Sequence, residues 1–198
     1  MTLTELLEYI KADRSRASSK CPGTTYLFWY RITKYFMNKG VLGRVPYYFS
    51  RIMLSHYSYK YGIHFSLNRH VGKGISINHF SCIINMAESL GDYCWLKPGV
   101  VIGESLPGSP TPRIGHHVNF GTGCKVLGDI TIGNNVIIGA NAVVTHDVPD
   151  NSIVVGIPAR VIGHTDDMWG TNRYPINGQN HEGTENADDV WNVPFTTS

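Results

Sequence analysis

The sequence predicts a mainly β protein built as a parallel β-helix, with an α-helical cap before the coil and an irregular tail after it. Bulky apolar residues recur every six positions, at Ile114, Phe120, Val126, Ile132, Ile138 and Val144. A second apolar series follows four positions after each, at Val118, Cys124, Ile130, Val136, Ala142 and Val148. A period of six belongs to neither a helix nor a single strand, and it is typical of a β-helix. The 21 glycines among 198 residues suit a chain with many tight corners.

The composition excludes several classes of function. A formal net charge of +2 gives no electrostatic reason to bind nucleic acid. No apolar run approaches the roughly 20 residues of a membrane-spanning helix. The first residues, MTLTELLEYIKADRS, do not resemble a signal peptide, so we expect a cytoplasmic protein. The cysteines lack a metal-ligand spacing and are expected to be reduced and structural, at Cys21, Cys82, Cys94 and Cys124.

Residues 1–61 are predicted to form a helical region, with helices over 2–12, 24–39 and 46–61. The second and third helices are rich in tyrosine, phenylalanine and tryptophan. The simplest interpretation is a cap, because a solenoid must cover its first coil. Aromatic and basic residues together are also common where proteins lie on a membrane, so a weak membrane-surface contact stays open.

The coil is predicted over 62–163, with two interruptions. The six-residue period slips by one position between Ile77 and Ile84, in the segment that contains His79. Irregularities of this kind often lie beside functional sites. Residues 104–113 contain three prolines and are expected to leave the coil as an extruded loop. The polar, aperiodic residues 164–198 are expected to form a tail that packs on the outside or on a neighbouring subunit.

Three blocks of sequence resemble the hexapeptide-repeat left-handed β-helix acyltransferases, nearest the serine acetyltransferase-like branch. They are GKGISINHF at 72–80, SPTPRIG at 109–115 and GANAVVTHDVPDNSIVVGIPARVIG at 139–163. Within that branch the chain resembles sugar O-acetyltransferases of surface-polysaccharide gene clusters. The resemblance implies a left-handed coil, a homotrimer and acetyl-CoA as co-substrate, with no metal required. It predicts acetyl transfer to a hydroxyl of a sugar or a surface-polysaccharide precursor.

His79 matches the catalytic histidine of that family. The reaction needs a base whose pKa lies near neutrality, to take a proton from the acceptor hydroxyl as it attacks the thioester. Because the His79 segment departs from the six-residue pattern, its side chain is expected to turn outward. Asn78, Asn85 and Glu104 are predicted to contact the acceptor or to orient the His79 ring.

The resemblance also implies a donor site on the later coils, in a groove between subunits. Thr122 and Ala140 are predicted along the pantetheine arm of acetyl-CoA, where small residues permit close approach to the main chain. Gly103 is predicted to bind the cofactor as well. Ile157 is expected to flank the adenine, and Arg160 is expected to meet a phosphate.

Two departures from serine acetyltransferase bear on the predicted acceptor. Thr111 stands where that enzyme has a second essential histidine, and residues 61–64 offer no counterpart to the aspartate that partners its catalytic histidine. These absences favour a neutral sugar hydroxyl, with serine O-acetyltransferase of cysteine biosynthesis as the second hypothesis and a non-catalytic scaffold as the third. A zinc site is disfavoured, because His79 and His117 lack a third histidine at the required spacing.

Overall fold

The computed structural model describes residues 1–16, 21–37, 39–77, 79 and 82–165. In that part of the chain, three helices come first: α1 (Leu3–Ser15), α2 (Pro22–Phe36) and α3 (Arg44–Tyr61). The strands that follow are short: β1 (Ile63–Phe65), β2 (His70–Val71), β3 (Ile83–Asn85), β4 (Ser89–Leu90), β5 (Trp95–Leu96), β6 (Val101–Gly103), β7 (Arg113–Ile114), β8 (Asn119–Phe120), β9 (Lys125–Leu127), β10 (Thr131–Ile132), β11 (Ile137–Ile138), β12 (Val143–Val144), β13 (Ser152–Gly156) and β14 (Ala159–His164). From residue 166 onward, the predicted tail lies outside the described residues.

The strands form three sheets, and each strand up to β12 is followed along the chain by a strand of a different sheet. Sheet 1 has the order β1-β3-β6-β9-β12, sheet 2 the order β2-β4-β7-β10, and sheet 3 the order β5-β8-β11-β13-β14. All pairs are parallel except β13 with β14, which close the coil as an antiparallel hairpin. A chain that visits three parallel sheets in turn is a parallel β-helix, as the six-residue period predicted.

The predicted apolar ladders form the core of the coil. All six residues of the first series are at most 4% exposed, and all six of the second are at most 6% exposed. In sheet 2, for example, Val71, Leu90, Ile114 and Ile132 stack one above another in adjacent strands. Burying a side chain of this size contributes roughly 1.5–3 kcal/mol, so the stacked ladders provide much of the coil's stability.

The register differs from the prediction at the first interruption. Ile84 was expected to resume the ladder, but Asn85 takes that place and pairs with Phe65 on one side and Ile102 on the other. Asn85 is 2% exposed, and its side-chain oxygen accepts a hydrogen bond from the Ala87 backbone N–H at 3.2 Å. Asn85 follows Ile77 by eight positions instead of six, so the corner that contains His79 is two residues longer than a regular one.

The helices cover the first coil through buried polar contacts as well as apolar ones. Asp13 of α1 and Arg31 of α2 form a buried ion pair, with 2.9 Å between Oδ2 and Nε. The Arg31 guanidinium also donates to the Val71 carbonyl at 2.8 Å, and Asp13 accepts from the Ile75 N–H at 2.9 Å. Tyr26 adds a further link, because its hydroxyl accepts from the Phe65 N–H at 2.8 Å. The helices thus satisfy main-chain groups that the first coil leaves unpaired, and they form the predicted cap.

The first residues of α1 and α2 differ from the prediction, because capping residues determine where each helix begins. Thr2 and Glu5 form a capping box at the start of α1, which fixes its first turn. Pro22 occupies the first position of α2, where its missing N–H costs nothing, so this helix begins two residues earlier than predicted. None of the described helices is long and apolar enough to cross a membrane.

Candidate functional site

One edge of the coil gathers most of the predicted site residues. We name it the 3–1 edge, because its corner segments lead from sheet 3 to sheet 1: 78–82, 97–100, 121–124 and 139–142. Successive corners are hydrogen-bonded, since the Gly123 N–H donates to the Pro98 carbonyl at 2.7 Å and the Asn141 N–H donates to the Thr122 carbonyl at 2.8 Å. His79, Thr122 and Ala140 therefore lie along the same edge, in three different coils.

His79 is exposed on the first of these corners, and both sides of the corner are anchored. On one side, Ile77 is buried, and its carbonyl accepts a hydrogen bond from the Cys21 thiol at 2.6 Å. On the other side, the Ile83 N–H donates to the Gly62 carbonyl at 2.8 Å. An exposed imidazole between two anchored flanks is suited to proton transfer with an external substrate. The neighbouring Asn78 lies outside the described residues.

The later corners of the 3–1 edge are tight and carry small side chains. Gly99 and Gly123 have φ of 75° and 74°, a left-handed conformation that favours glycine. A Cβ on Gly121 would lie 2.5 Å from the Ala140 backbone nitrogen, so the stacked corners permit no larger residue there. Thr122 and Ala140 are both exposed. A molecule that lies along this edge could therefore approach the main chain closely.

Two lysines on this edge were not singled out by the sequence. The Lys125 ammonium donates to the carbonyls of Gly99 and Gly123, at 2.9 and 2.6 Å, and so ties two corners together. Lys97 lies on the corner between those of His79 and Thr122, with its ammonium 4.9 Å from the centre of the Trp95 ring. Partial burial lowers the pKa of Lys97. Neither lysine has a spacing or motif that distinguishes it from an ordinary surface lysine.

The hairpin of β13 and β14 extends the same edge beyond the last regular coil. Ile157 is at its turn and is 72% exposed. Arg160 is also exposed, and its guanidinium donates to the Ala159 carbonyl at 2.8 Å. Both residues are accessible to a ligand, and their predicted roles at the adenine and phosphate remain predictions.

Gly103 and Glu104 lie on a different edge from His79. Gly103 is buried at the end of β6, where sheet 1 passes into the loop before β7, and its carbonyl accepts from the Gly128 N–H at 3.0 Å. Three strand residues separate the two edges, which corresponds to roughly 10 Å. Gly103 is therefore not in line with Thr122 and Ala140, and its predicted role in binding the cofactor stays a prediction. Glu104 is exposed, and its carboxylate accepts from the Gly108 N–H at 2.8 Å, which shapes the extruded loop.

Asn85 is the clearest correction to the predicted site. Its side chain points into the coil and is held by the Ala87 N–H. A buried amide in a ladder position does not reach the surface, so its position excludes the direct acceptor contact that was predicted.

Cys82 also departs from expectation. Cys21, Cys94 and Cys124 are buried, as a structural role predicts, but Cys82 is exposed three residues after His79. All four thiols are free. A solvent-accessible thiol therefore lies on the same corner as the candidate base.

The paired histidines His116 and His117 lie on the edge between sheets 2 and 3, away from His79 in the same chain. His116 Nδ1 accepts from the Asp92 N–H at 3.0 Å, and the His117 ring stacks on Tyr93 with 5.2 Å between centroids. Burial lowers the pKa of His117, with Arg16 and His116 adding to the effect. Among the described residues, no three His, Cys, Asp or Glu side chains group together as a metal site.

Comparisons with known proteins agree with this geometry. The family model for the bacterial transferase hexapeptide (six repeats) matches residues 111–146. The serine acetyltransferase of Synechococcus elongatus is 42% identical over 104 residues, which are 51% of this chain and 43% of the relative. That of Mycobacterium tuberculosis is 33% identical over 149 residues, which are 73% of this chain and 62% of the relative. The chain thus spans only about half the length of the curated relatives it matches.

Among solved structures, the serine acetyltransferase of Neisseria gonorrhoeae matches with a TM-score of 0.68 and 25% identity, covering 82% of this chain and 68% of the other. The coil is therefore the left-handed parallel β-helix of the hexapeptide-repeat acyltransferases. The similarity to serine acetyltransferases supports the serine acetyltransferase-like branch that the motifs predicted.

The narrower prediction, a sugar O-acetyltransferase of polysaccharide biosynthesis, is wrong. The relatives with up to 42% identity are named serine acetyltransferases, which supports the second hypothesis better. The prediction gave decisive weight to two missing side chains, one of them at Thr111. The similarity that overturns it extends over 104 residues or more.

Proposed function

We propose that this protein is an acetyl-CoA-dependent O-acetyltransferase whose acceptor is the hydroxyl of serine. The observation that carries the proposal is its 42% identity to a serine acetyltransferase over half of the chain. The exposed His79 on an anchored corner supports it, because the reaction needs a base that an outside substrate can reach.

In the proposed reaction, His79 takes the proton of the serine hydroxyl while the oxygen attacks the thioester carbonyl. A tetrahedral intermediate forms, and backbone N–H groups of the edge stabilise its oxyanion. The intermediate then collapses, the carbon–sulfur bond breaks, and the imidazolium returns the proton to the departing CoA sulfur. The products are O-acetylserine and CoA, and His79 ends in its starting state.

The donor is proposed to lie along the 3–1 edge of a homotrimer, with a neighbouring copy forming the other wall. Thr122 and Ala140 would border the pantetheine arm, Ile157 the adenine, and Arg160 a phosphate. The tight corners and small side chains of this edge support that path. An acetyl-CoA donor also favours the cytoplasm as the compartment.

The acceptor is proposed to lie between His79 and the loop that begins at Glu104. A free amino acid carries an ammonium group, and the exposed Glu104 carboxylate is a suitable partner for it. Asn78 would contribute to acceptor binding beside His79.

Replacing Glu104 by Gln should raise KM for serine more than it lowers kcat, because the lost contact binds the substrate but takes no part in the bonds that form and break.

The experiment that tests the proposal follows release of the free CoA thiol from acetyl-CoA in the presence of L-serine. The expected result is saturable, serine-dependent release well above the rate without acceptor, with sugars as negative controls. Absence of serine-dependent release would contradict the proposal. If calorimetry also showed no saturable binding of CoA, the protein would be a scaffold.

A further inference from the structure

The helix α3 exposes an apolar stripe along most of its length. Five large side chains on this helix are between 60% and 91% exposed: Val45, Tyr48, Phe49, Ile52 and Tyr59. Their spacing of three or four residues, with His56 among them, places them on one face of the helix. In the turn before the helix, Val41 and Leu42 are exposed as well. Ser50 and Leu54 are the buried residues of α3, and the partly buried Tyr57 and Tyr61 also pack against the core.

The apolar side chains of this stripe form one contiguous surface and are not isolated exposed residues. A helix of 18 residues is roughly 27 Å long, and the exposed side chains run along most of it. Contiguous apolar surface of this extent marks an interaction site on a folded protein. Phe49, at the border of the stripe, packs edge-on against Trp29 of α2 with 5.9 Å between ring centroids, yet it remains 60% exposed.

The charged residues that flank the stripe are basic. Residues 14–87 contain eleven Lys and Arg and no Asp or Glu, and three of them, Arg31, Arg69 and Lys73, are paired with acidic residues outside this range. Arg44 and Arg51 lie on one flank of the stripe, Lys60 lies near its C-terminal end, and all three are exposed. A second copy of this face would bring like charges together, whereas an anionic surface would be attracted to it.

We infer that the outer face of α3 binds the surface of an anionic lipid bilayer. Tyrosine and phenylalanine on an apolar face, with arginine and lysine at its flanks, are the features of a helix that lies in the membrane interface. The helix would lie on the bilayer with its apolar side chains about 5–10 Å into the headgroup region. The basic flanks would add electrostatic attraction to acidic lipids. This inference does not rest on the proposed function.

The test is sedimentation of the full chain with vesicles of phosphatidylcholine alone and of phosphatidylcholine with phosphatidylglycerol. Binding is expected only to the vesicles with phosphatidylglycerol, and about 1 M salt, where the Debye length is about 3 Å, should weaken it strongly. Ile52→Asp and the double variant Arg44→Glu/Arg51→Glu should each lower vesicle affinity at least tenfold. Ile162→Asp and Lys11→Glu change matched exposed residues elsewhere and should bind like the wild type.

Circular dichroism and light scattering without vesicles complete the test. Wild-type fold and oligomeric state in the α3 variants, together with lost vesicle binding, would support the inference. Equal binding to neutral and anionic vesicles, or equal binding by the α3 and control variants, would overturn it. A change of oligomeric state caused by Ile52→Asp without vesicles would also overturn it, because another copy of the chain would then cover this face.

Discussion

Asn85 occupies a position that apolar residues hold in the other coils of sheet 1: Phe65, Ile102, Val126 and Val144. Burying an amide without partners would be costly, and the Ala87 N–H offsets part of that cost. The sequence pattern predicts the neighbouring Ile84 at this ladder position instead. A search for periodic apolar residues cannot detect a buried polar residue whose side chain is hydrogen-bonded, as that of Asn85 is. The resulting error of one residue hides the true length of the corner that presents His79.

Cys82 provides a chemical probe of that corner. Burial raises the pKa of Cys94 and Cys124 to about 12, so these thiols are protonated and inaccessible near neutrality. Alkylation of the folded protein at mildly basic pH should therefore modify Cys82 first, as peptide mapping by mass spectrometry would show. Bound acetyl-CoA should slow this modification several-fold, because Cys82 is three residues from His79.

Two results would contradict this prediction. The first is modification of Cys94 or Cys124 in the folded protein at the rate of Cys82. The second is a Cys82 rate that saturating acetyl-CoA leaves unchanged.

At the scale of elements, the start of α2 supports the corner before His79. Gly23 is buried against the first coil, and a Cβ there would lie 2.3 Å from the Ile77 carbonyl oxygen. Gly23→Ala should therefore destabilise the fold by about 1–3 kcal/mol, as overpacking does. Because Ile77 is two residues before His79, the displacement should also lower kcat.

Gly163→Ala is the matched control, since its Cβ would meet nothing nearer than Ile153 Cδ1 at 4.0 Å. Urea unfolding and steady-state kinetics of both variants make the comparison. Equal stability and activity of the two variants would show that α2 does not support the corner.

The ion pair between α1 and α2 allows a second prediction at this scale. Asp13→Asn leaves the Arg31 guanidinium buried without its counterion, which typically costs about 3–5 kcal/mol. Asp129→Asn breaks the exposed pair with Arg113, and such pairs contribute about 1 kcal/mol or less. Thermal unfolding should separate the two variants clearly, and similar melting temperatures would contradict the cap described here.

The strands of the coil and the helix α2 show which features the sequence predicts well and which it does not. The ladder residues between 114 and 148 are all buried, because a strict period reflects stacking that admits few alternatives. Gly23 lies just before the helix that the sequence predicts over 24–39, yet close packing on Ile77 places it inside α2. His79 is recognised from a motif, whereas the contacts of Lys125 depend on corners that only the folded coil brings together.

At the scale of the whole molecule, one apolar core continues from the helices through the last coil. The proposed donor site needs a neighbouring copy as its second wall. Light scattering should therefore give a mass near three times the 22.0 kDa of one chain. Dilution that dissociates the trimer should weaken CoA binding in parallel, and a monomer with full affinity for CoA would contradict this arrangement.

His79 is proposed to act as the general base in acetyl transfer to serine. This role is tested most directly by comparing kcat of wild type and His79→Ala, with acetyl-CoA and serine both saturating. We expect kcat to fall by about 10²- to 10⁴-fold. The Kd for CoA should stay close to that of the wild type, since the donor is proposed to bind mainly along the later corners. A His79→Ala variant that retains activity within a few-fold of the wild type would contradict the account.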